Sequence, residues 1–119
     1  SFEDLSNYIY GIETGISSDP WMNWQIPELD NRAILSFSDA HSLPKMGRET
    51  TVFRIEKNLN TLTYMDIGKA IARPNENCRI SYTIEFYPEE GKYHYTGHRN
   101  CKIIKSPQQI KQDGNICQH

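Results

Sequence analysis

Apolar positions in this chain fall into short runs and one helical stripe, and the elements they predict are small. Residues 33–41, Ala-Ile-Leu-Ser-Phe-Ser-Asp-Ala-His, open as an apolar run suited to a buried strand and stop at a turn carrying Asp39 and His41. Before it, residues 8–13 (Tyr-Ile-Tyr-Gly-Ile-Glu) are rich in β-formers and predict a strand. Ser17-Ser-Asp-Pro20 predicts a turn, because Pro20 biases Asp19 to extended backbone. Trp21, Met22 and Trp24 follow without periodicity. They read either as a loop folded down over the core or as an aromatic surface for unpaired bases. Pro27–Asp30 suits a short helical turn.

Beyond His41, Leu43-Pro44 interrupts regular structure, and Thr51–Ile55 is a further strand candidate. Thr63 is an N-cap with Asp66 three residues on, and Tyr64, Ile67, Gly68 and Ile71 share one helical face before Pro74. Pro74–Asn77 is the best internal boundary. Ile80, Tyr82, Ile84 and Phe86 then alternate with Arg79, Ser81, Thr83 and Glu85, the pattern of a half-buried strand whose apolar set faces inward. Pro88–Gly91 is a turn, with residues 92–95 as the return strand of a hairpin. Ser106-Pro107 begins a capped helix that Gly114 ends.

Composition narrows the class. The 119 residues are 37% hydrophobic, which allows one modest core or part of a larger one. A net charge of −2 excludes a generally basic nucleic-acid surface, though not a local basic strip. No apolar stretch is long enough to span a membrane, and three cysteines suit a reducing, cytoplasmic setting better than a disulfide framework. The abrupt termini suggest a piece of a longer protein.

Three groups of residues can carry chemistry. Glu13, Asp39 and His41 each sit where a strand is expected to end, and carboxylate and imidazole both suit a divalent ion. The plainer reading makes Asp39 a turn cap and His41 an exposed loop residue. Arg48 can hold a phosphate or pin a loop through Glu49. His98-x-x-Cys101 with Cys117-x-His119 has the spacing of a structural zinc site, with His94 in reserve; ordinary buried thiols are the alternative. Lys92, Arg99, Lys102, Lys105 and Lys111 surround Tyr93 and Tyr95, a candidate DNA-backbone strip or an ordinary solvated face.

Ser38-Asp-Ala-His41 also resembles the last metal-binding motif of the polymerase-and-histidinol-phosphatase (PHP) family of metal-dependent phosphoesterases. Residues 11–20, 43–49 and 83–101 are similar to the endonuclease Q branch of that family, DNA repair nucleases that nick beside deaminated bases. The similarity runs over almost the entire chain. It implies an α/β fold: the C-terminal part of a PHP-type (β/α)7 barrel over residues 1–74, then a small β-hairpin zinc-binding module over 75–119.

The resemblance further implies that Asp39, His41 and, more weakly, Glu13 serve a catalytic divalent ion (zinc, manganese or magnesium). His98, Cys101, Cys117 and His119 would hold a structural zinc, and Arg48, Lys92 and Arg99 would meet DNA carrying deaminated or damaged bases. The family's opening His-x-His pair is absent from this chain. Alone, without the N-terminal half of the barrel, it is therefore expected to be inactive and prone to self-association. A PHP phosphatase of small esters and a non-catalytic zinc-dependent binding module are the rivals.

Overall fold

A computed structural model describes residues 3–117. A 3-10 turn at Glu3–Tyr8 leads into β1 (Gly11–Glu13), which lies parallel to β2 (Ala33–Leu35) with Gly11 opposite Ala33 and Glu13 opposite Leu35. The predicted strand at 8–13 is thus halved, its first part wound into the turn. Parallel neighbours need a crossover. Here it contains α1 (Pro20–Asn23) and a 3-10 turn at Pro27–Leu29. Asp19 is extended, as Pro20 requires, and its Oδ1 accepts the Met22 N–H at 2.8 Å, capping α1. Trp21 and Trp24 stay mostly exposed on this single turn and do not form a lid over a core.

The second unit consists of β3 (Thr50–Ile55), α2 (Tyr64–Ala72) and β4 (Cys78–Ile84), with β3 and β4 antiparallel and α2 packed on both. This sheet is built from both sides of the 74–77 turn. At the start of α2, the Thr63 N–H and Oγ1 both donate to Asp66 Oδ2 at 2.8 Å, so the expected cap forms. The buried face differs from the predicted stripe. Among the described residues the buried apolar ones are Ala70 and Cys78, while Tyr64 is 81% exposed. A small Ala70 lets the helix backbone seat closely on the sheet, and Ile71 packs against the space beside Gly11. That rotation leaves Tyr64 and Met65 in solvent.

A second difference has a clear cause. Val52 pairs with Tyr82 but Phe53 pairs with Ile80, so Ser81 is an extra residue, a β-bulge. One inserted residue inverts the faces of everything after it. Tyr82, Ile84 and Phe86 therefore turn outward, and Thr83 and Glu85 turn inward.

The third unit is a hairpin of β5 (Thr96–His98) and β6 (Ile103–Lys105), followed by α3 (Pro107–Asp113). The Ser106 cap and the Gly114 stop, with φ +78°, are as predicted. Residues 92–95 are not a return strand; the chain makes a 3-10 turn at Pro88–Glu90, and the hairpin forms later.

The barrel expectation is overturned. The described residues form three separate two-stranded sheets, of which only β1–β2 is parallel, and no barrel closes. A barrel needs strands hydrogen-bonded in a continuous parallel ring, and isolated two-stranded pairs do not supply one. The radius of gyration, 17.7 Å, exceeds the roughly 13–14 Å of a compact chain this long. What is present is a small α/β arrangement with little apolar core.

Candidate functional site

Parallel pairing sends the C-terminal ends of β1 and β2 to the same edge. Glu13, the last residue of β1, therefore faces the segment that follows β2. A cavity of about 520 Å³ opens there, with Glu13, Asp39, His41, Lys45, Arg48 and Glu49 on its walls. The three residues predicted for a catalytic ion thus line one cleft. Their ligand atoms do not converge: among the described residues they do not form a cluster tight enough to hold a metal together.

A tightly bonded polar cluster, outside the cavity lining, anchors the segment that leads from β2 to the cleft. Ser36 is fully buried; its N–H donates to Thr51 Oγ1 at 2.8 Å, and Thr51 Oγ1 donates back to the Ser36 carbonyl at 2.9 Å. Ser36 Oγ also donates to Glu85 Oε2 at 3.1 Å, while Glu85 Oε1 is buried without a partner among the described residues. In the segment lining the cleft, Asp39 holds a left-handed backbone, φ +43°, an uncommon geometry that Asp tolerates better than most residues. His41 Nδ1 lies 2.7 Å from the Asp39 carbonyl. A carbonyl only accepts, so Nδ1 carries the proton in that bond, and in the neutral imidazole Nε2 keeps a lone pair that an ion can take.

Arg48 is held on three sides. Its Nε donates to both Glu49 oxygens at 3.0 and 3.1 Å, a terminal nitrogen meets the Ser38 carbonyl at 3.5 Å, and the guanidinium lies 5.7 Å from the Phe86 ring centre. The pinned-loop arrangement is present, and the side chain still lines the cleft. Of the residues lining the cleft, Lys45 was missed from sequence; Glu85, which bonds Ser36 beside it, was missed as an inward-facing residue. Lys45 sits in an undistinguished turn, and the bulge at Ser81 hid Glu85 on what reads as the solvent face.

The second site is a metal-competent cluster. His98 ends β5, Cys101 lies in the hairpin turn, and Cys117 returns after α3. Their ligand atoms lie within 4.8 Å of one another, with His98 Nδ1 3.3 Å from Cys117 Sγ. Hydrogen bonding to Cys117, then burial, pushes the Cys101 thiol above its ordinary value. Two thiols and an imidazole are a soft N/S donor set that fits zinc, and a metal there would displace the thiol protons. His119 lies outside the described residues. His94 is elsewhere, its Nδ1 3.4 Å from the Ser17 carbonyl. No disulfide joins the three cysteines, and Cys78 is a buried thiol donating to the Asp66 carbonyl at 3.4 Å.

The basic strip is broken up. Lys105 pairs with Asp113 at 3.3 Å, Lys92 lies 5.5 Å from the Tyr93 ring centre, and Lys111 reaches Gln25 at 3.5 Å. Arg99 and Lys102 border a shallow hollow beside His98. No helix among the described residues is long and apolar enough to cross a membrane. No family model, curated protein or solved structure matches this chain.

Proposed function

We propose that this chain is part of a metal-dependent endonuclease that nicks DNA beside deaminated or damaged bases, with the cleft at the ends of β1 and β2 as its phosphodiester site. The observation that carries this reading is the parallel register, which brings Glu13, Asp39, His41 and Arg48 around one opening. The similarity of residues 11–20, 43–49 and 83–101 to endonuclease Q supplies the substrate class. A divalent ion in the cleft would lower the pKa of bound water and neutralise phosphate oxygens. Asp39 and His41 are the residues to hold it, and Lys45 and Arg48 to orient the phosphate. Because the cleft groups do not converge, full activity needs ligands beyond these. The His98, Cys101 and Cys117 cluster would take zinc and fasten the hairpin to α3.

The convergence of ligands at that cluster alone favours a second reading, a zinc-dependent DNA- or protein-binding module without catalysis. Metal content and nicking of a deoxyinosine duplex, by this chain and by one extended at both ends, decide between them. Several metals and nicking by the extended chain, abolished by Asp39→Asn, support the nuclease. One zinc and binding without cutting support the module.

A further inference from the structure

A second groove, of about 640 Å³, lies between α1, β2, the end of α2 and β4. Its floor is apolar, from Ala33, Ile34, Ala70, Ile71 and Ile80, and its walls carry Trp24, Tyr82, Arg32 and Arg79. Trp24 is 64% and Tyr82 58% exposed, although both are large rings bordering a cavity that could have covered them. Arg32 spends one terminal nitrogen on the Ser6 carbonyl at 2.7 Å, and Arg79 one on the Ile80 carbonyl at 3.3 Å. Neither makes an ion pair among the described residues, and no carboxylate lines the groove. In a chain of net charge −2, this is a local positive site with aromatic walls.

We propose that this groove binds an unpaired stretch of DNA, with bases on Trp24 and Tyr82 and phosphates on Arg32 and Arg79. Rings stack on any base face, and guanidinium groups take phosphate oxygens, so the lining matches both halves of a nucleotide. An acidic peptide would use the arginines but leave the rings and the apolar floor unfilled. The choice of DNA rests on the endonuclease reading above, whereas the single-strand preference rests on the lining. The groove and the cleft are neighbours along the chain, since β2 borders the groove and the segment after β2 lines the cleft.

The test uses Trp21→Phe protein, in which Trp24 is the only tryptophan, titrated with oligothymidylate in the presence of zinc alone. Quenching of Trp24 is expected. Trp24→Ala, assayed by anisotropy of a labelled oligomer, should weaken binding roughly 5- to 100-fold. Removing both arginines should flatten the plot of log affinity against log salt by about 1.4, or about 0.7 per lost phosphate contact. Arg32→Lys with Arg79→Lys should restore that slope, which a merely unfolded variant would not do. Equal quenching by poly-glutamate, or binding unaffected by Trp24→Ala, overturns the proposal. Because no cleavage is needed, nicking with an inert groove refutes this inference alone. Groove binding in an extended chain that never nicks refutes only the nuclease.

Discussion

Ser36 and Thr51 hold each other through a reciprocal pair of hydrogen bonds, 2.8 Å from the Ser36 N–H to Thr51 Oγ1 and 2.9 Å from that hydroxyl to the Ser36 carbonyl. The pair ties the end of β2 to β3, two strands that share no ladder. It therefore fixes the root of the segment carrying Asp39 and His41. Thr51→Val keeps the shape but strands a buried donor and a buried acceptor, at a cost of about 1–3 kcal/mol each at most. Urea denaturation should show a loss within that range for Thr51→Val and little loss for Thr51→Ser. A change below about 0.5 kcal/mol for Thr51→Val, the size of an ordinary surface substitution, contradicts the anchoring role.

Gly91 shows how the hairpin unit is joined to the rest. A Cβ there would lie 2.5 Å from Ser17 Cα and 2.7 Å from the Ile16 carbonyl oxygen, and the neighbouring Tyr93 N–H donates to Ser17 Oγ at 3.0 Å. Gly91→Ala must push the two loops apart, costing about 1–3 kcal/mol as overpacking does. Hydrogen exchange at the Tyr93 amide should accelerate in this variant. An unchanged rate would mean that the two loops are not held together by this contact.

Asp66 gives a pH dependence with a definite sign. The Lys57 ammonium at 2.8 Å, followed by the Thr63 hydroxyl and N–H, lowers its carboxyl from 3.8 to about 2. A carboxylate lowered on folding stabilises the fold above its ordinary value and loses that contribution as the pH falls through the folded value. Wild type should thus lose stability relative to Asp66→Asn between about pH 4 and pH 2, visible as helix loss by circular dichroism. Parallel acid curves for the two proteins would show that the cap carries no such linkage.

Much of the local structure was legible because it depends on residues adjacent in sequence. Thr63 with Asp66 and Ser106 before Pro107 are caps whose partners lie within three residues, and both form; Asp19 is extended as Pro20 dictates, but its capping of α1 was not read from sequence. The parts that were not legible depend on pairing at a distance. Nothing near Ser81 announces a bulge, yet that one residue turns Glu85 inward and Tyr82 outward. The barrel failed for the same reason: strand runs show where strands lie, not which neighbours they bond. His98, Cys101 and Cys117 were all legible as ligands from their spacing, and they converge; the path that brings Cys117 back, through α3, was not.

Cysteine substitutions should separate the metal site from the core. Cys117→Ala removes one of three converging ligands and should abolish stoichiometric zinc binding, measured by elemental analysis after dialysis. Cys78→Ala lies in the core beneath α2 and should keep zinc while lowering thermal stability. Zinc lost equally from both variants would show that the cluster is not where the metal resides.

Cobalt(II) titration of the intact chain tests metal binding at His98, Cys101 and Cys117 most directly, because thiolate ligation to cobalt gives a strong near-ultraviolet charge-transfer absorption. The expected result is one cobalt per chain with that absorption, displaced by zinc and lost in Cys101→Ala and Cys117→Ala. Absence of the band, or its survival in both variants, would contradict a metal held at this cluster.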